Sequence, residues 1–137
     1  MPGGGNDVPL PVALRILAWL LIFWEPLAFA VAAAGSMNAI AVRGVGVVLV
    51  LSARLITTAL SVAAGRALVD RRHAGALMAS VALPCSAAVQ IFATLTRYFP
   101  SNRAPGDDAI YVTGILTYYG GWLLYLTLRR PIDRDSS

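Results

Sequence analysis

Lysine is missing from this sequence, cysteine and histidine occur once each, and charged residues fill only 13% of its 137 positions. Each scarcity removes a class of function. Soluble domains carry about a quarter charged residues, so the membrane class leads before any segment is inspected. The single cysteine, Cys85, excludes an intramolecular disulfide and a cysteine-based metal cluster. It lies inside an apolar run and reads as an inert packed thiol. The single histidine, His73, stands in "DRRHAG" without the convergent ligands that a zinc, haem or catalytic site requires. A loop histidine among arginines reads as a headgroup contact. No glycine-rich phosphate loop is present: Gly3 to Gly5 open the chain, and Gly44 and Gly46 stand at a helix end. The formal net charge of +4 rests on arginine alone, with no basic stripe or nucleic-acid motif. Neither an enzyme nor a nucleic-acid partner is expected. A composition rich in alanine, glycine and arginine suits a GC-rich bacterial gene.

Apolar side chain is what the sequence has in abundance. Hydrophobic residues make up 58% of the chain, and the mean hydropathy is +0.69. A hydrocarbon core about 30 Å thick takes about 20 apolar residues per helical crossing. Four runs meet that length: about Val12 to Ala34, Gly44 to Leu68, Ala74 to Phe99 and Ala109 to Leu128. The segments "GSMNAIAVR", "VDRRHAG" and "PSNRAPGDD" between them carry the glycine, proline, asparagine and serine of surface turns. The expected fold is all-α: a polytopic integral membrane protein forming an antiparallel four-helix transmembrane bundle. Residues 1–11 and 129–137 remain as cytoplasmic tails. "AFAVAAAG" has the small-residue spacing of a signal-peptide cleavage site, but no basic charge precedes it early on, the run is long, and Glu25 interrupts it. It is read as a true span.

Four spans place both termini on the side of the middle link. That side collects Arg15, Arg66, Arg71, Arg72, Arg129, Arg130 and Arg134, against Arg43, Arg97 and Arg103 opposite. The positive-inside rule then puts the termini in the cytoplasm of a bacterium, with the chain in its inner membrane. Tyr98, Phe99 and Tyr111 would mark the outer interface.

Two spans carry a charge near the middle: Glu25 in "LLIFWEPLAFA" and Arg54 in "VLSARLITTAL". An unpaired charge at the bilayer centre costs about 2.5–3.5 kcal/mol on insertion scales. Counted at 1.5 Å per residue, Glu25, Arg54, Gln90 and Tyr118 all lie roughly 13–15 Å from the outer ends of their spans. The expectation is a buried polar layer in which Glu25 and Arg54 pair while Gln90 and Tyr118 complete their hydrogen bonds. Helical periodicity gives each span an inner face: Ala18, Leu21, Ala28, Phe29, Ala32 and Ser36 beside Glu25; Arg43, Val47, Val50, Thr57, Thr58, Ser61 and Gly65 beside Arg54; Ala79, Ser86, Ala93, Thr94 and Arg97 beside Gln90. In the fourth span Tyr111, Gly114, Tyr118, Gly121, Trp122 and Tyr125 share a stripe. Pro26 and Pro84 each withdraw a backbone donor, from the carbonyls of Ile22 and Ser80.

Trp19, Trp24, Tyr111, Trp122 and Tyr125 are candidate lipid- or cofactor-facing aromatics. The aromatic stripe has two readings: interior packing, which is the commoner, or the wall of a cavity for a lipid, quinone or pigment. The favoured function is an accessory or structural subunit packed against a larger membrane complex and lipids. The alternative is a small proton-coupled multidrug-type transporter. A four-span chain with a first-span glutamate resembles the small multidrug-resistance transporters in layout, which implies a dimer in which Glu25 exchanges a proton for substrate. The central Arg54 departs from that pattern, because it would hold the carboxylate occupied.

Overall fold

The computed structural model describes residues 9–96, 104 and 106–134, with side chains as far as Arg129. Arg97, Tyr98, Phe99 and Arg103, the side chains of Arg130 and Arg134, and the tail residues 1–8 and 135–137 lie outside the described residues. Four helices and no strand occur among those described: α1 Val12–Arg43, α2 Val45–Val69, α3 Ala74–Thr96 and α4 Asp108–Arg134. Together they make an all-α helical bundle. Helices are what such a sequence must form in lipid, where each backbone polar group has to be satisfied within its own segment. Helices α1, α2 and α3 are long and apolar enough to cross a membrane. Helix α4 matches them in length, with 27 residues, but its tyrosines, threonines and glycines dilute its hydropathy.

The segment "GSMNAIAVR" is not the turn its composition suggests. Helix α1 runs through it to Arg43, and the whole α1–α2 link is Gly44, whose φ of 67° lies in the left-handed region that glycine adopts freely. Two features hold the extension. Ser36 is buried and donates back to the carbonyl of Ala32 at 2.6 Å, and Ala39 is buried beyond it. One glycine and one serine among helix-forming neighbours do not stop a helix whose face is packed.

The α2–α3 link is a Schellman closure. Arg72 N–H donates to the carbonyl of Ala67 at 2.9 Å and Arg71 N–H to that of Leu68 at 3.1 Å, with Arg71 at φ 53° in the position glycine usually takes. Two glycines set the close approaches. A Cβ on Gly65 would lie 2.9 Å from the carbonyl oxygen of Ala18 and 2.8 Å from Ile22 Cγ1, so α1 and α2 meet backbone to backbone there. A Cβ on Gly75 would lie 2.9 Å from the backbone of Ala67 and Leu68. The core holds Leu17, Leu21, Ala64, Leu83, Tyr119 and Leu126, drawn from all four helices.

The stripes read for α1, α2 and α3 are largely the buried ones. Ala18, Leu21, Val47, Val50, Thr57, Thr58, Ser61, Gly65, Ala79, Ser86, Ala93 and Thr94 are all buried. The stripe read for α4 is only partly turned inward: Tyr118, Trp122 and Tyr125 are half-buried against the core. Tyr111, Gly114 and Gly121 are exposed, whereas Tyr119 and Leu126 are the buried positions. Cys85 is exposed, not packed: it follows Pro84 on the outward side of α3.

Candidate functional site

The polar interior begins with Pro26. Its ring would collide with the carbonyl four residues back, and it offers no N–H in return. Helix α1 resolves this by widening one turn: Leu20–Trp24 is π-helical, and Glu25 N–H donates to Leu20 five residues earlier. A π turn inside an α-helix often marks a functional position. Here it sits immediately before a carboxylate only 3% exposed.

Glu25 is held by Tyr119, whose hydroxyl donates to Glu25 Oε1 at 2.6 Å. Gln90 Nε2 in turn donates to the Tyr119 hydroxyl. The result is one hydrogen-bonded chain across three helices: Gln90 on α3, Tyr119 on α4, Glu25 on α1. Tyr119 is 4% exposed, so the phenol that contacts the carboxylate is itself in the core. Separately, the buried Ser61 and Ser86 hydroxyls meet at 3.3 Å between α2 and α3.

Two members expected in this layer are placed differently. Arg54 is half-buried and acts on Glu25 and Tyr119 electrostatically, but no hydrogen bond or ion pair joins it to the carboxylate. The cause is the length of α1. Its distal end is Arg43 rather than residue 34, so Glu25 lies roughly 27 Å from that end while Arg54 lies roughly 14 Å from the start of α2. Counted this way, the backbone positions of the two residues are offset by roughly 13 Å along the bundle, and the arginine acts on the carboxylate without touching it. Tyr118, expected to complete the layer, instead has its hydroxyl buried without a partner. Its ring meets that of Tyr119 edge-on at 4.9 Å and 88°. Neighbouring residues on a helix point about 100° apart, so only Tyr119 reaches the carboxylate, although both tyrosines line a cleft beside it.

That cleft lies beside the hydrogen-bonded chain. It encloses about 610 Å³ between α1 and α4, which are bridged by the Tyr119–Glu25 bond while the packing of α4 is on α3. Trp24 and Ala28 line it from α1, Gln90 from α3, and Tyr111, Gly114 and Tyr118 from α4. No charged side chain lines it among the described residues. A Cβ on Gly114 would meet nothing within 4 Å, so the wall is bare backbone at that point.

The remaining candidate aromatics divide by helix face. Trp122 and Tyr125 are half-buried against the core and meet edge-on at 6.1 Å. Trp19 is exposed and stacked on Phe23 at 5.1 Å, outside the cleft. His73 is exposed in the α2–α3 link. Among the described residues no three of His, Cys, Asp and Glu come together to hold a metal ion. Set against known proteins, the chain matches no family model, no curated protein and no solved structure.

Proposed function

We propose that this chain is a small non-catalytic integral membrane protein, an accessory subunit that packs beside larger membrane proteins and holds an apolar molecule between α1 and α4. The observation that carries this reading is the cleft of about 610 Å³ with an apolar wall, a size that suits a ligand of drug-like dimensions. Exposed aromatic and aliphatic side chains, Trp24, Leu27 and Val31 on α1 and Ile110 on α4, offer apolar surface to lipid or a neighbouring subunit. In this reading all four helices cross a bacterial inner membrane, with both termini cytoplasmic. The arginines at the end of the bundle bearing the termini support that orientation. Its check is a cysteine-labelling map, in which thiols placed near Arg71 and Arg129 react only from the cytoplasmic side.

The runner-up is a proton-coupled transporter, favoured by the hydrogen-bonded chain that joins the cleft wall at Gln90 to the buried Glu25. One comparison separates the two. Purification in gentle detergent, with mass spectrometry of every protein and apolar molecule that accompanies the chain, should yield a defined complex and a bound apolar molecule. The molecule should be lost from Gly114→Leu, whose side chain fills the cleft without touching the core. If the protein instead purifies alone and moves cationic substrates in liposomes, with transport abolished in a folded Glu25→Gln, the accessory reading fails.

A further inference from the structure

We infer that a hollow between α1 and the end of α2 binds a zwitterionic phospholipid headgroup ending in a primary ammonium, that of phosphatidylethanolamine. Arg66 takes the phosphate and Asp70 the ammonium. This rests on the helices lying in a membrane and not on the α1–α4 cleft. The hollow encloses about 300 Å³ and is lined by Trp19, Ile22 and Phe23 from α1 and by Arg66, Val69 and Asp70 from the end of α2. Its depth follows from α2. Arg43 precedes that helix, Arg66 stands near its end, and residues 45–65 between them rise roughly 30 Å. That is about the thickness of a hydrocarbon core. Arg66 is therefore at the edge of the core, and Asp70, one turn further along, is in the headgroup layer. Trp19, exposed and stacked on Phe23, lies at the same edge, where amphipathic rings settle.

The charges in the hollow choose the ligand. Both signs line it, four residues apart on one helix face, where side chains start about 5–6 Å apart. A simple anion would meet Asp70 and a simple cation Arg66, whereas phosphoethanolamine carries a phosphate and an ammonium across a two-carbon bridge. The order matches as well. The phosphate is joined to the glycerol, nearer the hydrocarbon, as Arg66 is; the ammonium lies at the outer end, with Asp70. Both side chains are open to such a group. Arg66 is exposed, its side chain makes no hydrogen bond or ion pair among the described residues, and its guanidinium fork suits a phosphate. Asp70 lies 3.9 Å from Arg72 in a loose, exposed pair, which is weak and leaves carboxylate acceptors for N–H donors. A choline headgroup has no N–H to give, and a glycerol headgroup has no positive end. Past the stacked rings, Leu20, Trp24 and Leu27 continue an apolar surface along α1 for the acyl chains.

The test is native mass spectrometry of the full chain in detergent, titrated with phosphatidylethanolamine, phosphatidylcholine and phosphatidylglycerol bearing the same oleoyl chains. The expected result is a single phosphatidylethanolamine retained per chain, at about tenfold lower lipid concentration than either competitor, the worth of one charge-assisted hydrogen bond. Arg66→Gln should weaken that binding about tenfold. Asp70→Asn should bring phosphatidylethanolamine down to the level of phosphatidylcholine while phosphatidylcholine binding stays as it was. The exchange of Arg66→Asp with Asp70→Arg keeps the net charge but sets a carboxylate against the phosphate, and should abolish the preference. Equal or tighter retention of phosphatidylglycerol overturns the inference in favour of a generally basic surface. Retention of no lipid, or unchanged phosphatidylethanolamine binding in Arg66→Gln or in the exchanged pair, overturns it as well. Both side chains are exposed, so the variants are expected to keep the fold; should one lose helicity, the comparison of the three lipids on the parent chain still decides.

Discussion

Replacing Tyr119 by phenylalanine removes one oxygen and leaves a buried carboxyl group without its donor. Glu25 is 3% exposed, and Tyr119 donates to it at 2.6 Å. A hydrogen bond to a charged group contributes about 1.5–3 kcal/mol, and an uncompensated buried charge costs about 3–5 kcal/mol. Against this, hydrogen bonds between membrane helices average only about 0.6 kcal/mol and reach about 1.7. The carboxylate should place Tyr119→Phe above that range, at about 2–3 kcal/mol. Glu25→Gln keeps an acceptor for the same hydroxyl and should cost about 1 kcal/mol or less. In the Glu25→Gln background the bond is neutral to neutral, so Tyr119→Phe should then cost only about 0.6–1.7 kcal/mol. The double-mutant cycle, read by reversible unfolding in mixed micelles, should therefore show a coupling of roughly 1–2 kcal/mol. Equal costs for Tyr119→Phe in both backgrounds would refute the reasoning, since the hydroxyl would then not be serving the carboxylate.

Other substitutions test separate parts of the bundle. Gly65→Ala puts a methyl 2.9 Å from the Ala18 carbonyl oxygen; overpacking costs about 1–3 kcal/mol and helix propensity returns about 1, so a net loss of up to about 2 kcal/mol is expected in the same unfolding assay. Arg71→Gly should raise stability by about 0.5–1 kcal/mol, because a non-glycine residue at φ 53° is strained by about 1–2 kcal/mol and glycine's extra unfolded-state freedom offsets part of the relief. Without added ligand, Tyr118→Phe should be neutral or stabilising by up to about 1 kcal/mol, since it deletes a buried hydroxyl that has no partner. Arg54→Gln should cost less than Tyr119→Phe; a cost of about 3–5 kcal/mol would restore the direct ion pair.

Much of the fold can be read from periodicity, because small and polar residues repeat on one face of α1, α2 and α3, and those faces are buried. Helix α4 misleads for a physical reason. Its tyrosines at 111, 118 and 125 repeat every seven residues and so trace a stripe of their own, which is at most half-buried, while the fully buried positions are Tyr119 and Leu126. Adjacent tyrosines give composition no means to say which one turns inward. The ion pair fails for another reason. Depth counted from a turn at "GSMNAIAVR" starts from a helix end that does not exist, and an error of nine residues there becomes roughly 13 Å along the axis. The clue that the sequence does hold is Pro26: a proline after a buried carboxylate requires local rearrangement of the helix, and the π turn supplies it.

The exchange of Arg54 for Tyr119 changes what Glu25 is able to do. Burying an ion pair desolvates two charges, and their mutual attraction offsets that only with excellent geometry. A phenol desolvates one weakly polar group and still supplies the carboxylate with a donor. It also stands between the carboxylate and the cleft, since Tyr119 lines the cavity and Glu25 does not. A carrier would need the carboxylate to meet its substrate directly, so Tyr119 would have to swing away and break its bonds to both Gln90 and Glu25 in each cycle. A holding site needs the opposite. The Gln90–Tyr119–Glu25 chain fixes α4 against α1 and α3, and with it the rotation that sets Tyr118 beside the cleft. In that arrangement the buried acid serves the cleft wall by fixing helix orientation.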